Sequence, residues 1–275
     1  MIDPLDAVAT WPAVGNWPAA AGWMTETRNE STGPIERALP WASVTKILTA
    51  LAVWVAVEEG TVAWDDPVGP PGATLSHLLA HASGLAPDDD TVLAAPGRRR
   101  IYSNRGFELA AAHLASQAGM SFAEYLAAGV IEPLKLGSTS LVGSAASGAS
   151  GSLTDLLTVG RELMFPTLVT TETHALASSV SFPGLAGVLP GFGRQQHNDW
   201  GLGVEVRDNK RPHWTGSLNS PRTFGHFGRS GSFLWVDPER GLALACLSDR
   251  PFGSWATRAW PELSDQVIRA QTSYG

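Results

Sequence analysis

The sequence predicts an α+β protein, because helical and strand-like patterns occupy different stretches of the chain. Residues 47–57 are apolar on every helical face, which is typical of a helix buried inside a domain. Helical spacing continues over the middle of the chain, whereas alternating, strand-like segments follow residue 190. Helices and antiparallel strands separated in this way favour two lobes. We expect a single domain with a sheet lobe (about 1–64 and 190–275) and a helical lobe (about 65–189).

The composition is that of a globular protein, and its net charge is not basic. Of the 275 residues, 44% are hydrophobic and 16% are charged, and the formal net charge is −7. A nucleic-acid partner would require a basic face, so we expect none. The basic run Arg98–Arg100 follows Pro96 and Gly97, and we interpret it as a solvated loop.

The N-terminal residues lack the basic and apolar regions of a secretory signal, and no apolar stretch has the length of a membrane-spanning helix. We therefore expect a cytoplasmic protein without a membrane partner. The single cysteine, Cys246, excludes an intrachain disulfide and lies in an apolar segment where burial is expected. The sequence contains no indication of oligomeric state.

In chain order, residues 19–28 predict a first strand, and the buried helix then ends at the stop signal Gly60. Thr74 is a candidate cap for a short helix that runs towards Gly84. A longer helical pattern closes near Gly119.

A capping box at Ser121 starts another short helix, and a further helix follows Thr154. Residues 200–206 alternate like a strand. The turn at 237–241 joins two more strands into an antiparallel hairpin, and an amphipathic helix over 255–270 closes the chain.

The start of the buried helix carries a hydroxyl and an amine three residues apart. If the helix begins at Ser43, then Ser43 and Lys46 share one face. A serine needs a neighbouring base to become a nucleophile, and a desolvated lysine is such a base. Taken alone, the same spacing also fits a helix cap followed by a solvated lysine.

Further motifs follow at characteristic intervals, and together they carry a family resemblance. The ordered segments are Ser43-Val44-Thr45-Lys46, Leu78-Leu79-Ala80-His81-Ala82-Ser83-Gly84-Leu85, Tyr102-Ser103-Asn104, Glu132-Pro133-Leu134 and Gly225-His226-Phe227-Gly228. In this order the chain resembles the serine β-lactamase and penicillin-binding protein superfamily, in particular the class C-like branch with its family VIII esterases and D-alanyl-D-alanine carboxypeptidases. The resemblance covers residues from about 19 onwards.

The resemblance implies a two-lobed β-lactamase-like fold with the active site between the lobes and no cofactor or metal. Ser43 matches the nucleophile, Lys46 its base, and Tyr102 a phenol whose pKa we expect the lysine to lower. Asn104 matches the amide that positions the lysine and the substrate. The resemblance also implies an oxyanion hole built from the backbone N–H groups of Ser43 and Arg229.

The segment His226-Phe227-Gly228 matches the third motif of the family, usually K-T-G, and two of its residues depart from that pattern. His226 stands in place of the usual lysine, so we expect the positive charge there to depend on pH. Phe227 replaces a small hydroxyl residue that helps to hold a substrate carboxylate, and Gly228 completes the motif. Both departures favour an ester over a β-lactam substrate.

Several alternatives stay open at the level of sequence. The first hypothesis is a serine hydrolase that acts on small or medium acyl esters. A β-lactamase or penicillin-binding peptidase is the second hypothesis, and a catalytically silent binding module of the same fold is the third. The α/β-hydrolase elbow G-x-S-x-G is missing, because both similar segments, at 148–152 and 228–232, lack the last glycine. His77 and His81 have metal-ligand spacing, but Leu78 stands where a zinc protease has glutamate, so we expect both to be packed structurally.

Overall fold

The computed structural model describes residues 19–272; the N-terminal segment that was assessed for a signal, residues 1–18, and residues 273–275 lie outside it. The strands are β1 Ala19–Met24, β2 Asn29–Thr32, β3 Leu39–Pro40, β4 Ser140–Leu141, β5 Ala149–Gly151, β6 Gly187–Leu189, β7 Gly193–Gln195, β8 Glu205–Val206, β9 Phe224–Gly228, β10 Ser232–Asp237 and β11 Leu242–Ser248. The α-helices are α1 Thr45–Glu58, α2 Leu75–Leu79, α3 Asn104–Ala118, α4 Phe122–Leu126, α5 Leu153–Met164, α6 Thr171–Ser178 and α7 Ala256–Thr272.

A six-stranded antiparallel sheet, in the order β2-β1-β11-β10-β9-β8, forms the centre of the molecule. β10 and β11 make the predicted hairpin, with Phe233 opposite Cys246. β9 lies beside β10, with His226 opposite Leu234. The antiparallel sheet with helices on it confirms the α+β prediction and places the third motif one strand from the sheet edge.

Both faces of this sheet are buried by helices, which makes two cores. On one face α5 packs against β1, β10 and β11, and a Cβ atom on Gly160 would lie 3.0 Å from Leu234 Cδ1. On the other face Trp23 and Trp235 pack in one cluster with Trp260 and Val267 of α7. The strands of a sheet covered on both faces are buried along their whole length, as β10 and β11 are.

The predicted central helix is α1, and every residue from Thr45 to Ala56 is buried. The helix begins two residues later than expected, because Ala42–Val44 form a 3₁₀ turn first. It ends at Glu58, and Gly60 adopts the left-handed conformation with φ of 74°. α1 packs against α3 and α4, whereas α5, inside the predicted helical lobe, packs on the sheet. The lobe boundaries stay a prediction.

The strand predicted over residues 200–206 is wrong apart from its last two residues, which form β8. The preceding residues make a turn in which Gly203 has a φ of 107°. A Cβ atom at Gly203 would lie 2.2 Å from Cβ of Ala50. The glycines that looked like strand residues therefore serve a close approach of backbone to α1.

Other boundaries also differ from expectation. β1 ends at Met24, because Thr25 N–H donates to Arg28 O at 2.8 Å and closes a turn into β2. The short hairpin β6–β7 and the helix α6 were not predicted. Among residues 19–272, no helix combines the length and the apolar character needed to cross a bilayer.

Candidate active site

Ser43 lies in the 3₁₀ turn between β3 and α1, half-buried at the base of a cleft. Its neighbour Ala42 has a φ of 46°, which is uncommon for a residue with a side chain. Two hydrogen bonds join the segment before the turn to the residues that follow β9. Ser230 Oγ donates to Pro40 O at 2.8 Å, and Ser232 Oγ donates to Trp41 O at 2.7 Å. These bonds hold the serine at a fixed position relative to the sheet.

Lys46, in the first turn of α1, is completely buried. Its Nζ donates to Asn104 Oδ1 at 2.6 Å and to Ala146 O at 3.0 Å. Desolvation lowers the pKa of Lys46 to about 7, against the opposing charges of Glu108 and Asp88, which raise it. A neutral amine has two N–H groups and one lone pair. Two acceptors therefore engage both N–H groups and leave the lone pair available to accept a proton.

Tyr102 precedes α3, and its phenol is a hydrogen-bond partner of the Ser43 hydroxyl. Lys46 Nζ lies 4.7 Å from the centre of the Tyr102 ring. The expectation that lysine lowers the pKa of Tyr102 is wrong: burial raises this pKa, and the bond from Ser43 opposes the rise only in part. A lysine that is itself desolvated and half neutral near pH 7 supplies too little charge to outweigh the burial of the phenol.

Asn104 is the first residue of α3 and links the lysine to an acidic residue outside the predicted set. While its Oδ1 accepts from Lys46, its Nδ2 donates to Asp88 Oδ1 at 2.7 Å. The two bonds fix the orientation of the amide. Asp88 is the first of three consecutive aspartates, and the third, Asp90, pairs at the surface with Arg105 at 2.6 Å. Only the fold shows that Asp88 binds a residue of the site while Asp90 does not.

The third motif lies on β9 and presents its first two side chains to opposite faces of the sheet. His226 is buried 5.9 Å from the ring of Tyr102 and 5.4 Å from Trp200. Its Nδ1 is 2.7 Å from Phe227 O; a carbonyl only accepts, so Nδ1 carries the proton. Nε2 is buried and has no hydrogen-bond partner among the described residues. It is therefore a free acceptor.

His226 is neutral at physiological pH. Burial, and secondarily the charge of Lys46, lowers the pKa of His226 to about 3. The expectation of a pH-dependent positive charge at this position is therefore wrong for the neutral range. The sequence signalled a histidine in place of lysine, but only the fold shows that water is excluded from it.

Phe227 and Gly228 fix the shape of the cleft wall. The ring of Phe227 packs among aromatic side chains, 5.1 Å from Phe252 and 5.8 Å from Trp260. A Cβ atom on Gly228 would lie 2.4 Å from Trp41 O, so only glycine allows β9 this close to the turn that carries Ser43. Arg229, the next residue, lines the cleft and is exposed.

Two further residues, the buried His81 and the partly buried Glu108, support the site although the motif analysis assigned them no role in it. His81 accepts from the N–H of Ser103 through Nδ1 at 3.1 Å, and its ring centre is 4.5 Å from that of Tyr102. Glu108 accepts from Ser144 and from the N–H of Ala146, the residue whose carbonyl binds Lys46. Sequence spacing could not have indicated these contacts, because the bonded partners come from distant segments of the chain.

The interpretation of Arg98–Arg100 as a solvated loop is wrong for Arg100. That side chain is buried, and its guanidinium donates to four backbone carbonyls, of Ala80, Ser181, Phe182 and Asn198. It thereby joins the segment before Tyr102 to the far wall. Within the described part of the chain, no three His, Cys, Asp or Glu side chains are grouped to hold a metal ion.

The cleft has a volume of about 950 Å³, and Ser43, Tyr102, Asn104 and His226 are among the residues that line it. Apolar side chains cover much of the remaining wall, among them Ile101, Val188, Leu189, Pro190, Trp200 and Phe252. Apolar walls with a few convergent polar groups are typical of small-molecule sites.

Comparisons with known proteins agree with this geometry. A family model described as Beta-lactamase matches residues 36–267. The crystal structure of a beta-lactamase from Mycobacterium bovis is 48% identical, with a TM-score of 0.96, covering 98% of this chain and 100% of the other. A search of curated proteins found no match.

More distant solved structures share the fold. EstCE1, described as a hydrolase with promiscuous acyltransferase activity, has a TM-score of 0.80 at 16% identity, covering 96% of this chain and 97% of the other. An octameric penicillin-binding protein homologue from Pyrococcus abyssi has a TM-score of 0.75 at 18% identity, covering 98% and 76%. At such identities the likeness is one of fold alone.

Proposed function

Since the chain belongs to the beta-lactamase family, a family of hydrolases, we propose that it is a serine hydrolase that forms an acyl-enzyme through Ser43 and acts on small or medium acyl esters. The observation that carries the proposal is the state of Lys46. The buried amine has a pKa lowered to about 7 and both N–H groups of its neutral form engaged. Such an amine is a general base at neutral pH.

In the proposed acylation, the Lys46 lone pair takes the proton of Ser43, and Oγ of Ser43 attacks the ester carbonyl carbon. The carbonyl electrons move to oxygen, where the backbone N–H groups of Ser43 and Arg229 stabilise the charge. The C–O bond to the leaving alcohol then breaks, and Tyr102, still a phenol because burial raises its pKa, passes a proton to the departing oxygen. The lysine's proton restores the phenol. Water then hydrolyses the acyl-enzyme by the same steps in reverse order.

The residues of β9 favour an ester over a β-lactam. The cation and the small hydroxyl that the resemblance leads one to expect there are replaced by a neutral His226 and by Phe227, which packs in an aromatic cluster. A neutral imidazole with a free Nε2 accepts a hydrogen bond but does not attract a carboxylate. The chain thus retains the groups for acyl transfer while lacking the usual groups for carboxylate recognition.

A β-lactamase or a penicillin-binding peptidase is the second candidate, favoured by the 48% identical relative that is described as a beta-lactamase. Both would use the same Ser43 acyl-enzyme. A silent binding module of this fold is the third candidate, and the ordered bonds of Lys46 argue against it, since a binding module has no need of a buried, desolvated base.

A single panel separates these functions. Wild type, Ser43→Ala and the control Ser116→Ala, an exposed serine on α3, would be incubated with a fluorophosphonate probe, 4-nitrophenyl esters, nitrocefin and a D-alanyl dipeptide. We expect ester turnover and probe labelling in wild type and in Ser116→Ala, and neither in Ser43→Ala. Turnover of nitrocefin or the dipeptide faster than of any ester would favour the second candidate. Activity unaffected by Ser43→Ala would refute the proposal.

A further inference from the structure

Positive charge is concentrated at the cleft of an otherwise acidic protein. The chain has 26 acidic and 19 basic residues. The cleft nevertheless has five arginines and only two carboxylates in its lining. The arginines are Arg98, Arg99, Arg100, Arg194 and Arg229, and the carboxylates are Asp88 and Glu205.

The two carboxylates are already engaged in the protein. Asp88 accepts from Asn104, and Glu205 is buried, where it pairs with Lys210 and accepts from His213 and Trp214. Glu205 is therefore not available to the arginines, and the exposed Asp88 is the one carboxylate in the lining that no cation pairs with in the described residues.

Four of the five arginines have exposed side chains that form no ion pair with a carboxylate of the described residues. Arg100 is buried and bound to carbonyls, but Arg98, Arg99, Arg194 and Arg229 are exposed. Within residues 19–272, none of these four forms an ion pair with a carboxylate, whereas Arg105 and Arg240 elsewhere on the surface do. We call these four exposed side chains the arginine rim.

The arginine rim is assembled from three separate segments on an anchored frame. Arg98 and Arg99 lie on the turn after Gly97, Arg194 on β7, and Arg229 after β9. The β6–β7 hairpin packs tightly on the cleft wall, because a Cβ atom on Gly191 would lie 2.5 Å from the ring of Phe252. The four exposed cations thus line, from three segments, a cleft that also has many apolar side chains in its lining.

We propose that the substrate of this cleft is an ester or thioester with an anionic group, a carboxylate or a phosphate, which the arginine rim binds while the apolar part lies against the cleft wall. The inference rests on the proposed function for the identity of Ser43 as nucleophile. Guanidinium groups match both anions by paired N–H donors. Arg98, Arg99 and Arg194 lie outside β9, so this site differs from the position of the third motif.

Anionic and neutral substrates of similar size test the inference. 4-Acetoxybenzoate and 4-acetoxyphenyl phosphate would be compared with methyl 4-acetoxybenzoate, and mono-4-nitrophenyl adipate with 4-nitrophenyl hexanoate. The first set places the anion on the leaving group and the second on the acyl group. We expect about a ten-fold higher kcat/KM for at least one anionic member, with the preference falling as salt rises from about 0.05 to 0.5 M.

Removal of two charges of the arginine rim tests whether the rim causes the preference for anionic substrates. In Arg98→Gln/Arg194→Gln we expect the ratio of kcat/KM for the anionic over the neutral partner to fall by about five-fold. The control Arg37→Gln/Arg222→Gln removes the same charge at exposed positions outside the cleft lining and should keep the wild-type ratio. An equal fall in the control would mean a general charge effect and would overturn the proposal.

Equilibrium binding to Ser43→Ala makes the test independent of catalysis. Titration with benzoate, phenyl phosphate and methyl benzoate should show tighter binding of an anion, weakened by Arg98→Gln/Arg194→Gln. If esters are hydrolysed through Ser43 but no anion is preferred in turnover or binding, the inference fails while the proposed function stands. If anions bind but no ester acylates Ser43, the proposed function fails instead.

Discussion

Replacement of Asp88 by asparagine should shift the pH profile of the enzyme towards acid. The carboxylate of Asp88 raises the pKa of Lys46, and its removal therefore lowers that pKa below about 7. Asparagine keeps an oxygen at the position that accepts from Asn104 Nδ2, so the orientation of Asn104 should be retained. Because the proposed base is the neutral amine, activity rises as pH passes upward through the pKa of Lys46, and a lower pKa extends activity to lower pH.

The size of the shift follows from the hydrogen-bonded path between the two charges. Lys46 Nζ is 2.6 Å from Asn104 Oδ1, and Asn104 Nδ2 is 2.7 Å from Asp88 Oδ1. With a separation of about 7 Å and an effective dielectric constant of about 40 to 80, Coulomb's law lowers the pKa of Lys46 by about 0.4 to 0.9. Asp88 is exposed, so we expect about 0.5. At pH 6 the neutral fraction of Lys46, and with it kcat/KM, then rises about 2.5-fold.

The assay is kcat/KM for 4-nitrophenyl butyrate between pH 5 and 9 at constant ionic strength. Asp90→Asn is the matched control, because Asp90 lies two residues away and pairs with Arg105 instead. An acid limb that stays in place or moves to higher pH in Asp88→Asn would refute the electrostatic reasoning. An equal shift in Asp90→Asn would assign the effect to net charge and not to the bonded path.

Three further substitutions test the site. Lys46→Met should lower kcat/KM at least about 100-fold while the melting temperature measured by calorimetry stays the same or rises, because a buried amine is replaced by an apolar chain. Gly228→Ala should slow fluorophosphonate labelling and lower the melting temperature, since its Cβ atom would lie 2.4 Å from a backbone oxygen, whereas Gly137→Ala, with nothing within 4 Å, should change neither. His81→Phe should lower kcat about ten-fold with little change in KM, and His81→Asn, which restores an acceptor for the N–H of Ser103, should recover part of the loss. Equal losses in the two His81 variants would contradict this positioning role.

Helix ends and turns could be predicted from the sequence where they depend on neighbouring residues alone. The capping box at Ser121, the stop at Gly60 and the β10–β11 hairpin all form at the expected places, because each depends on a few neighbouring residues. Residues 200–206 were misread because alternation of apolar residues predicts a strand without regard to what packs on it. In the fold, Gly203 serves the approach to α1 instead.

The properties of the candidate site also fall into those that the sequence determines and those that depend on the fold. The sequence by itself determined the order of Ser43, Lys46, Tyr102 and the third motif, and with it the family. Tertiary structure alone decided the protonation states: Lys46 is close to half neutral at pH 7, Tyr102 stays a phenol, and His226 is uncharged. The physical reason is desolvation, which depends on how completely remote segments exclude water from a group. Tertiary structure likewise decided that Asp88 binds Asn104 while Asp90, two residues away, pairs with Arg105, because these partners come from a different segment of the chain.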